Sequence, residues 1–232
     1  AEAVDGRSDH YTGVTYSPFQ TQVKNPRGNV STYRYDAVGR LVGVNMPSSS
    51  KDSIDTMATD YEYDFWGNLL NVRQSSSHEL LDEERSFQYN NIGQCIYEDH
   101  PETGPTYYEY EETGARLLKA IRYADNSRET IDSRDGLNRV ISKTYWNPDE
   151  TMSKRLQYYY DGDDPGIQGI TVPDPTDNQR GNVTLIATYR PGERGEVLDT
   201  VTQFPDYTLL GDPTAKIQYI PEYDVEMKAA FT

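Results

Sequence analysis

The chain has 232 residues, a net charge of −16 at pH 7 and a hydrophobic content of only 35%. This acidity argues against nucleic acid and anionic lipid as partners, and no apolar run approaches the roughly 20 residues of a membrane span. Twenty tyrosines against five phenylalanines and two tryptophans predict a moderately polar, ring-packed interior. The single cysteine, Cys95, is interpreted as a small buried hydrophobe, because it can form neither an internal disulfide nor a metal cluster.

In chain order, the sequence divides into three segments. Residues 1–30 are predicted to be lead-in strands, with a Pro-Gly turn at 25–30. Residues 31–161 hold a repeated motif, and residues 162–232 are predicted to be a less regular β continuation of the same sheet. Because the chain begins with Ala1 rather than Met, we expect a processed product or an excised fragment.

The repeated motif is Tyr-x-Tyr-Asp-x-x-Gly-Arg/Asn-Leu, and its copies recur every 20 to 30 residues or so, a spacing typical of stacked supersecondary units. The positions that define it in four copies are Tyr33, Tyr35, Asp36, Gly39, Arg40 and Leu41; Tyr61, Tyr63, Asp64, Gly67, Asn68 and Leu69; Tyr89 and Gly93; and Tyr108, Tyr110 and Gly114. A weaker fifth copy has Arg134 in the Tyr position and Asn138 in the Gly position. A sixth keeps only its opening, at residues 158–161.

Each copy is interpreted as a β-hairpin. Tyr33 and Tyr35 alternate with Arg34, which places both rings on one face of a strand. Asp36 can bond to its own backbone two residues on and Gly39 can take a positive φ, so the segment between them is predicted to be a tight turn. The return strand begins at Leu41. The fold class is therefore predicted to be all-β, built from successive antiparallel hairpins.

These residues resemble the YD repeat of the Rhs family, which also occurs in wall-associated proteins, Tc toxin B and C components and teneurins. The resemblance implies a curved, spiralling antiparallel sheet that forms a hollow, non-catalytic shell around a C-terminal toxin or other cargo. It also implies a bacterial protein that is secreted or lies at the cell surface, and whose partners are the rest of the parent polypeptide and its cargo. The chain is too short for a closed shell and lacks the family's cargo-cleaving segment, so it is predicted to be a fragment of shell wall.

The sequence offers three chemical alternatives to a purely structural role. The recurring acids Asp36 and Asp64 could suggest catalysis, but a residue that recurs in register in each hairpin is better explained as a turn former, so no catalytic residue and no cofactor is predicted. The acidic loop at residues 161–166 could bind Ca²⁺ but lacks the spacing of an EF-hand loop, so no metal site is assigned. His10, His78 and His100 show no metal-ligand spacing.

The alternative function is a module that binds carbohydrate or a cell-surface protein. Its candidate stacking residues are the aromatic side chains of Trp66, Tyr107, Tyr108, Trp146 and Tyr158–Tyr160. The opposing interpretation is that these rings pack between neighbouring strands. Unpaired sheet edges also predict self-association through edge strands.

Overall fold

The computed structural model describes residues 12–47, 56–77, 82–167, 170, 180–208, 210–221 and 225–231. Within these ranges the chain forms seventeen β-strands, assigned to one antiparallel sheet. The all-β prediction is confirmed. The part of the chain described here contains no helix long and apolar enough to cross a membrane.

The chain divides into two compact units, residues 1–107 and 108–232, and the division falls within the ninth strand. The strands of the first unit are β1 (Gly13–Ser17), β2 (Gln20–Lys24), β3 (Val30–Tyr35), β4 (Leu41–Pro47), β5 (Thr56–Tyr63), β6 (Leu69–Ser76), β7 (Asp82–Tyr89), β8 (Cys95–His100) and β9 (Gly104–Tyr110). The strands that follow are β10 (Leu118–Arg122), β11 (Arg128–Arg134), β12 (Val140–Trp146), β13 (Met152–Tyr160), β14 (Val183–Gly192), β15 (Gly195–Gln203), β16 (Ala215–Ile220) and β17 (Val225–Ala230).

Each unit is a meander in which every strand pairs antiparallel with the next one along the chain. The odd-numbered strands β3, β5 and β7 each end at a motif turn. Because these strands run in the same direction, their turns lie at the same end of the first unit's strands. Opposite them lie the other connections, such as the turn at residues 25–29. The motif turns therefore lie together at one end of the strands, and they do not define a face of the sheet.

A register shift recurs at the second tyrosine of the motif. In the first unit it falls between Arg34 and Tyr35, between Glu62 and Tyr63, and between Gln88 and Tyr89. Such a shift is the β-bulge that accompanies a turn with a left-handed residue at its end. The motif therefore specifies the bulge as well as the turn.

The hydrophobic core is thin, as the tyrosine-rich composition predicts. In the first unit the described buried hydrophobic side chain is Val44. In the second unit Leu185, Ala187 and Val201 form a fully buried cluster on β14 and β15, and partly buried hydrophobic residues pack around it. Two of these, Ile167 and Ile170, come from the connection between β13 and β14.

Candidate functional site

The turn at residues 36–40 shows how the motif works. The Asp36 carboxylate accepts hydrogen bonds from the backbone N–H groups of Val38 at 3.0 Å and Arg40 at 2.9 Å, and from Arg40 Nε at 2.7 Å. The Asp36 N–H donates to the carbonyl oxygen of Arg40, and the Gly39 N–H donates to that of Asp36. Gly39 has a φ of 86°, a conformation that a side chain with a Cβ adopts only at a cost. The carboxylate thus holds the whole turn closed.

The same turn recurs with different side-chain pairs. Asp64 accepts from the Asn68 side chain at 2.8 Å, and Asp135 accepts from Arg139 Nε at 2.6 Å. At the third copy the amide of Asn90 donates to the side-chain oxygen of Gln94 at 2.9 Å. In each of these copies the side chains of the first and fifth turn positions match one donor to one acceptor.

These contacts shift the pKa values of the turn carboxyls. The side-chain hydrogen bond from Arg40 lowers the pKa of Asp36. Burial pushes the pKa of Asp64 up, but the hydrogen bonds from Asn68 and from the turn backbone outweigh it, so this pKa is also lowered. Both carboxyls are held ionised at neutral pH. This protonation state suits a hydrogen-bond acceptor and does not suit a general acid.

Neighbouring hairpins of the first unit are joined through the same residues. The Tyr63 hydroxyl donates to the carbonyl oxygen of Leu41 at 3.0 Å. The Arg40 guanidinium lies over the Tyr63 ring, 5.0 Å from its centroid, and its Nη1 donates to the carbonyl oxygen of Asp64 at 2.9 Å. One motif therefore supplies the arginine and the next supplies the tyrosine. We call this set of contacts the inter-hairpin latch.

The latch recurs within the second unit. The Tyr160 hydroxyl donates to the carbonyl oxygen of Val140 at 2.8 Å, and the Arg139 guanidinium lies 4.3 Å from the centroid of the Tyr160 ring. Arg139 also pairs with the Asp161 carboxylate at 2.8 Å. In the fifth copy Arg134, which takes the tyrosine position, donates to the carbonyl oxygen of Leu118 at 2.8 Å. An arginine can thus replace the tyrosine because the latch requires a donor.

The sixth copy forms the contacts of a motif turn, but its first and last turn residues lie far apart in the sequence. The Asp161 N–H donates to the carbonyl oxygen of Asn182, as Asp36 does to Arg40, and Tyr160 pairs with Val183, as Tyr35 pairs with Leu41. Gly181, with a φ of 83°, donates its N–H to the Asp161 carboxylate at 2.6 Å. Residues 162–180 are therefore an insertion within a motif turn, which the sequence analysis did not recognise.

A seventh copy follows at residues 207–213. Tyr207 pairs with Pro213, and its hydroxyl donates to the carbonyl oxygen of Val183, which completes another latch. Thr208 takes the aspartate position, and its hydroxyl accepts from the Asp212 N–H at 3.2 Å. The signal that sequence analysis missed was Tyr-Thr followed three residues later by Gly, with a hydroxyl in place of a carboxylate.

The fourth copy has a longer connection. The Glu111 N–H donates to the carbonyl oxygen of Leu117, so Leu118 takes the place of Leu41. Gly114 has a φ of 73° within this connection.

The tyrosines of the motif lie on strands. Tyr108 and Tyr110 lie on β9. The first tyrosines of the two earliest copies, Tyr33 and Tyr61, pair across the sheet with Val44 and Val72.

Nothing in the described residues assembles a metal cluster of three or more His, Cys, Asp or Glu side chains. In the loop considered for Ca²⁺, Asp161 already accepts from Gly181 and pairs with Arg139, and Asp164 accepts from the Gly166 N–H at 2.8 Å. His10 and His78 lie outside the described residues. Burial raises the pKa of the Cys95 thiol, as expected of a half-buried structural cysteine.

Most of the aromatic candidates for carbohydrate stacking are engaged with the protein. The Tyr107 and Tyr97 rings form an edge-to-face pair at 5.1 Å, and Trp146 Nε1 donates to Thr130 at 3.0 Å beneath the Arg128 guanidinium. Tyr159 packs against the buried cluster of the second unit. These rings therefore serve cross-strand packing.

Trp66 differs, because it is 84% exposed at the tip of the second turn. It borders a groove of about 740 Å³ between the second and third motif turns. Phe87 and Tyr89 also line this groove, together with the side chains of Asn68, Asn91 and Gln88. Aromatic rings beside amide groups are the elements that a sugar ring could stack on and bond to.

Both the repeated motif and the fold are similar to those of known proteins. The family model described as RHS Repeat matches residues 20–51, which contain the first motif copy. The chain superposes on the Tc holotoxin pore of Photorhabdus luminescens with a TM-score of 0.60 at 13% identity, covering 90% of this chain and 10% of that one. It superposes on the TcdB2-TccC3 structure with a TM-score of 0.57 at 14% identity, covering 95% of this chain and 11% of that one.

No curated protein matches the chain. The chain spans about a tenth of the length of the solved structures it resembles, and at this identity the likeness shows a shared fold. The chain is therefore similar to the Rhs/YD-repeat family in its repeated Tyr-Asp turns and in the RHS Repeat match over residues 20–51, and it shares an all-β fold with the Tc toxin structures.

Proposed function

We propose that this chain is a stretch of non-catalytic wall in a larger Rhs-type shell that encloses or presents a cargo. The observation that carries this proposal is the inter-hairpin latch. It uses the turn arginine and the motif tyrosine, residues that define the repeat, to join the first hairpin to the second and the fifth copy to the sixth. The guanidinium and hydroxyl groups of the motif thereby bond to the backbone of the neighbouring hairpin.

The state of the turn carboxylates supports the same role. Asp36 and Asp135 each bond to two backbone N–H groups and to the guanidinium of the fifth turn residue. A carboxylate that accepts these three hydrogen bonds has its pKa lowered, so it is a poor proton donor at neutral pH. Repetition of the device in successive hairpins indicates a wall that gains area by adding identical units.

The partners proposed for this wall are the rest of the parent polypeptide and its C-terminal cargo, in a secreted or cell-surface bacterial protein. One of the superposed structures is of TcdB2-TccC3 without its hypervariable C-terminal region, so a variable C-terminal segment belongs to at least that relative. Electron microscopy of the purified full-length polypeptide tests the proposal. A hollow particle with density inside is expected, and a solid or extended particle would exclude a shell.

The groove beside Trp66 favours carbohydrate binding as a second candidate function. The expected ligand is a sugar that stacks on Trp66 and hydrogen-bonds to the amides of Asn68 or Asn91. A glycan array on this chain tests it, with Trp66→Ala as the loss-of-binding variant and Tyr16→Ala, a change at an exposed ring outside the groove, as the control. Binding that survives Trp66→Ala would exclude this groove, and an array without signal would argue against carbohydrate binding.

A further inference from the structure

A cavity of about 390 Å³ in the second unit is lined by one residue of β9 and by residues of β10 and β11. Its volume falls within the range of small-molecule sites, which is roughly 300–1,000 Å³. The charged side chains of its lining are three basic and two acidic: Lys119, Arg122 and Arg128, and Glu109 and Asp132. Three positive charges against two leave the lining with an excess of one positive charge, in a chain whose net charge is −16.

The two arginines of this cavity occupy paired positions. Arg122 on β10 and Arg128 on β11 are directly opposite each other in the antiparallel register. Residues in such a pair project from the same face of a sheet, and like charges at these positions destabilise it. The pair therefore costs stability in the hairpin that holds it, and an anion between the two guanidinium groups would offset that cost.

The turn between these strands does not explain the pair. Its backbone hydrogen bonds, at residues 123–127, are the same as those of the turns at residues 25–29 and 147–151. The residue pairs that flank those two turns contain at most one charge each: Lys24 with Val30, and Trp146 with Met152. The arginine pair is therefore a property of this hairpin and of the cavity that it lines, and the turn does not require it.

The Arg128 guanidinium is oriented by Trp146. It lies over the indole, 5.1 Å from the ring centroid, and the indole is itself fixed by the hydrogen bond that its Nε1 donates to Thr130 at 3.0 Å. Arg128 Nε is buried, and it has no hydrogen-bond partner among the residues that the structure describes. A buried donor without an acceptor is costly, so Arg128 presents an oriented N–H that the acceptor of a ligand can satisfy.

The acidic residues of the lining leave Arg128 unneutralised. The Asp132 carboxylate accepts hydrogen bonds from the hydroxyl groups of Thr130 at 2.9 Å, Ser142 at 3.2 Å and Thr144 at 2.6 Å. Glu109 is exposed. Within the described part of the chain, no ion pair joins Arg128 to an acid, and its interaction is the one with the Trp146 ring.

We infer that this cavity binds a small oxyanion, a phosphate or carboxylate group, between Arg122 and Arg128. A guanidinium presents a planar fork of N–H donors that matches the oxygens of both groups, and such charge-assisted hydrogen bonds are the strong ones. The bound anion would satisfy Arg128 Nε and remove the repulsion between the paired arginines. We call this cavity the arginine-pair site. The inference is independent of the shell and carbohydrate proposals.

Nuclear magnetic resonance of the ¹⁵N-labelled chain tests the site directly. The chain has two tryptophans, so its spectrum contains two indole N–H signals, which a Trp66→Phe variant assigns. Titration with sodium phosphate at constant pH and ionic strength should shift the Trp146 signal saturably, with half-saturation on the order of 1 mM. The Trp66 signal should stay in place. A parallel titration with sodium acetate distinguishes the two oxyanions, since the preferred group saturates at the lower concentration.

Chloride is the control for this titration. If sodium chloride at matched ionic strength shifts the Trp146 signal as far as phosphate and acetate do, the effect is screening and the inference is wrong. An unmoved Trp146 signal with both oxyanions would also overturn it.

Two variants with the same charge change locate the binding. Arg122→Gln, at an exposed position of the cavity, should weaken binding by about ten-fold or more, because it removes charge-assisted hydrogen bonds. Arg27→Gln, at an exposed turn residue outside the cavity, should leave the half-saturation concentration unchanged. Equal effects of the two variants would show that binding follows net charge, and they would contradict an arginine-pair site.

Thermal unfolding gives a second readout that does not depend on the tryptophan signal. A ligand that binds the folded chain raises its Tm, so phosphate should raise the Tm of the unmodified chain and of Arg27→Gln. It should raise the Tm of Arg128→Gln and Arg122→Gln much less. If either cavity variant gained as much as the unmodified chain, the arginine pair would not be the site.

Discussion

The Tyr63 hydroxyl donates a hydrogen bond of 3.0 Å to the backbone carbonyl oxygen of Leu41, and this bond joins the second motif hairpin to the first. The same relationship links Tyr160 to Val140 and Tyr207 to Val183. The motif leucine begins the return strand, where the turn leaves a backbone carbonyl for the next hairpin to use. The repeat thus specifies both its own hairpin and the attachment of the following one.

Removing the latch hydroxyl should destabilise the first unit. Tyr63→Phe keeps the ring beneath Arg40 but removes the donor to Leu41, and a hydrogen bond of this kind contributes about 1 kcal/mol to the free energy of unfolding. Urea unfolding measures the loss. Tyr16→Phe, at an exposed ring, is the matched control and should cost nearly nothing; equal costs for the two would argue against the latch.

The positive φ of the turn predicts opposite effects for two glycine substitutions. Gly39→Ala places a Cβ at a φ of 86° and should cost about 1–2 kcal/mol of stability. Gly136→Ala, at the second position of the fifth copy's turn, has open space around the new Cβ and no positive φ, so it should be neutral or stabilise by up to about 1 kcal/mol. Thermal unfolding of both variants measures the two changes in stability. If Gly39→Ala were the more stable of the two, the turn assignment would be wrong.

Low pH should destabilise the motif turns that contain aspartate. The Arg40 hydrogen bond places the pKa of Asp36 in the folded chain below its ordinary value of 3.8. The stabilisation is therefore complete above about pH 4 and is lost as the pH falls through the folded pKa. Asp36→Asn/Arg40→Gln, which copies the third turn's neutral pair, should reduce the loss of stability between about pH 5 and pH 2. Unfolding curves across this range test it, and an unchanged acid slope would contradict the role of the carboxylate.

The insertion between Asp161 and Gly181 should stabilise the second unit through its isoleucines. Ile167 packs against the cluster of Leu185, Ala187 and Val201, and Ile167→Ala should cost about 1–2 kcal/mol because the side chain is only partly buried. Leu185→Ala, at a fully buried position, should cost about 3 kcal/mol. Denaturant unfolding gives both values, and a silent Ile167→Ala would show that the insertion does not contribute to the core.

The first three hairpins were predictable because their turns keep Asp or Asn, Gly and flanking tyrosines at fixed spacing. The later copies keep the interactions and change the residues. Arg134 replaces a tyrosine as donor, and Thr208 replaces an aspartate as acceptor. Sequence spacing also fails where residues 162–180 separate Asp161 from Gly181, although the two still meet in one turn.

The division into segments 1–30, 31–161 and 162–232 stays a prediction about the organisation of the sequence. The contacts instead separate two units at Tyr107 and Tyr108, within β9. Motif copies extend past residue 161, since the sixth closes at Gly181 and Asn182 and the seventh spans 207–213. The hairpin array therefore includes much of the segment that the sequence analysis described as less regular.

Limited proteolysis of the full-length polypeptide, followed by mass spectrometry, tests the shell account most directly. If these hairpins are part of a closed wall, the C-terminal cargo segment should resist protease until the repeat region itself is cut. If the C-terminal segment is degraded at once while the repeats persist, the wall does not enclose it, and the shell account is wrong for this protein.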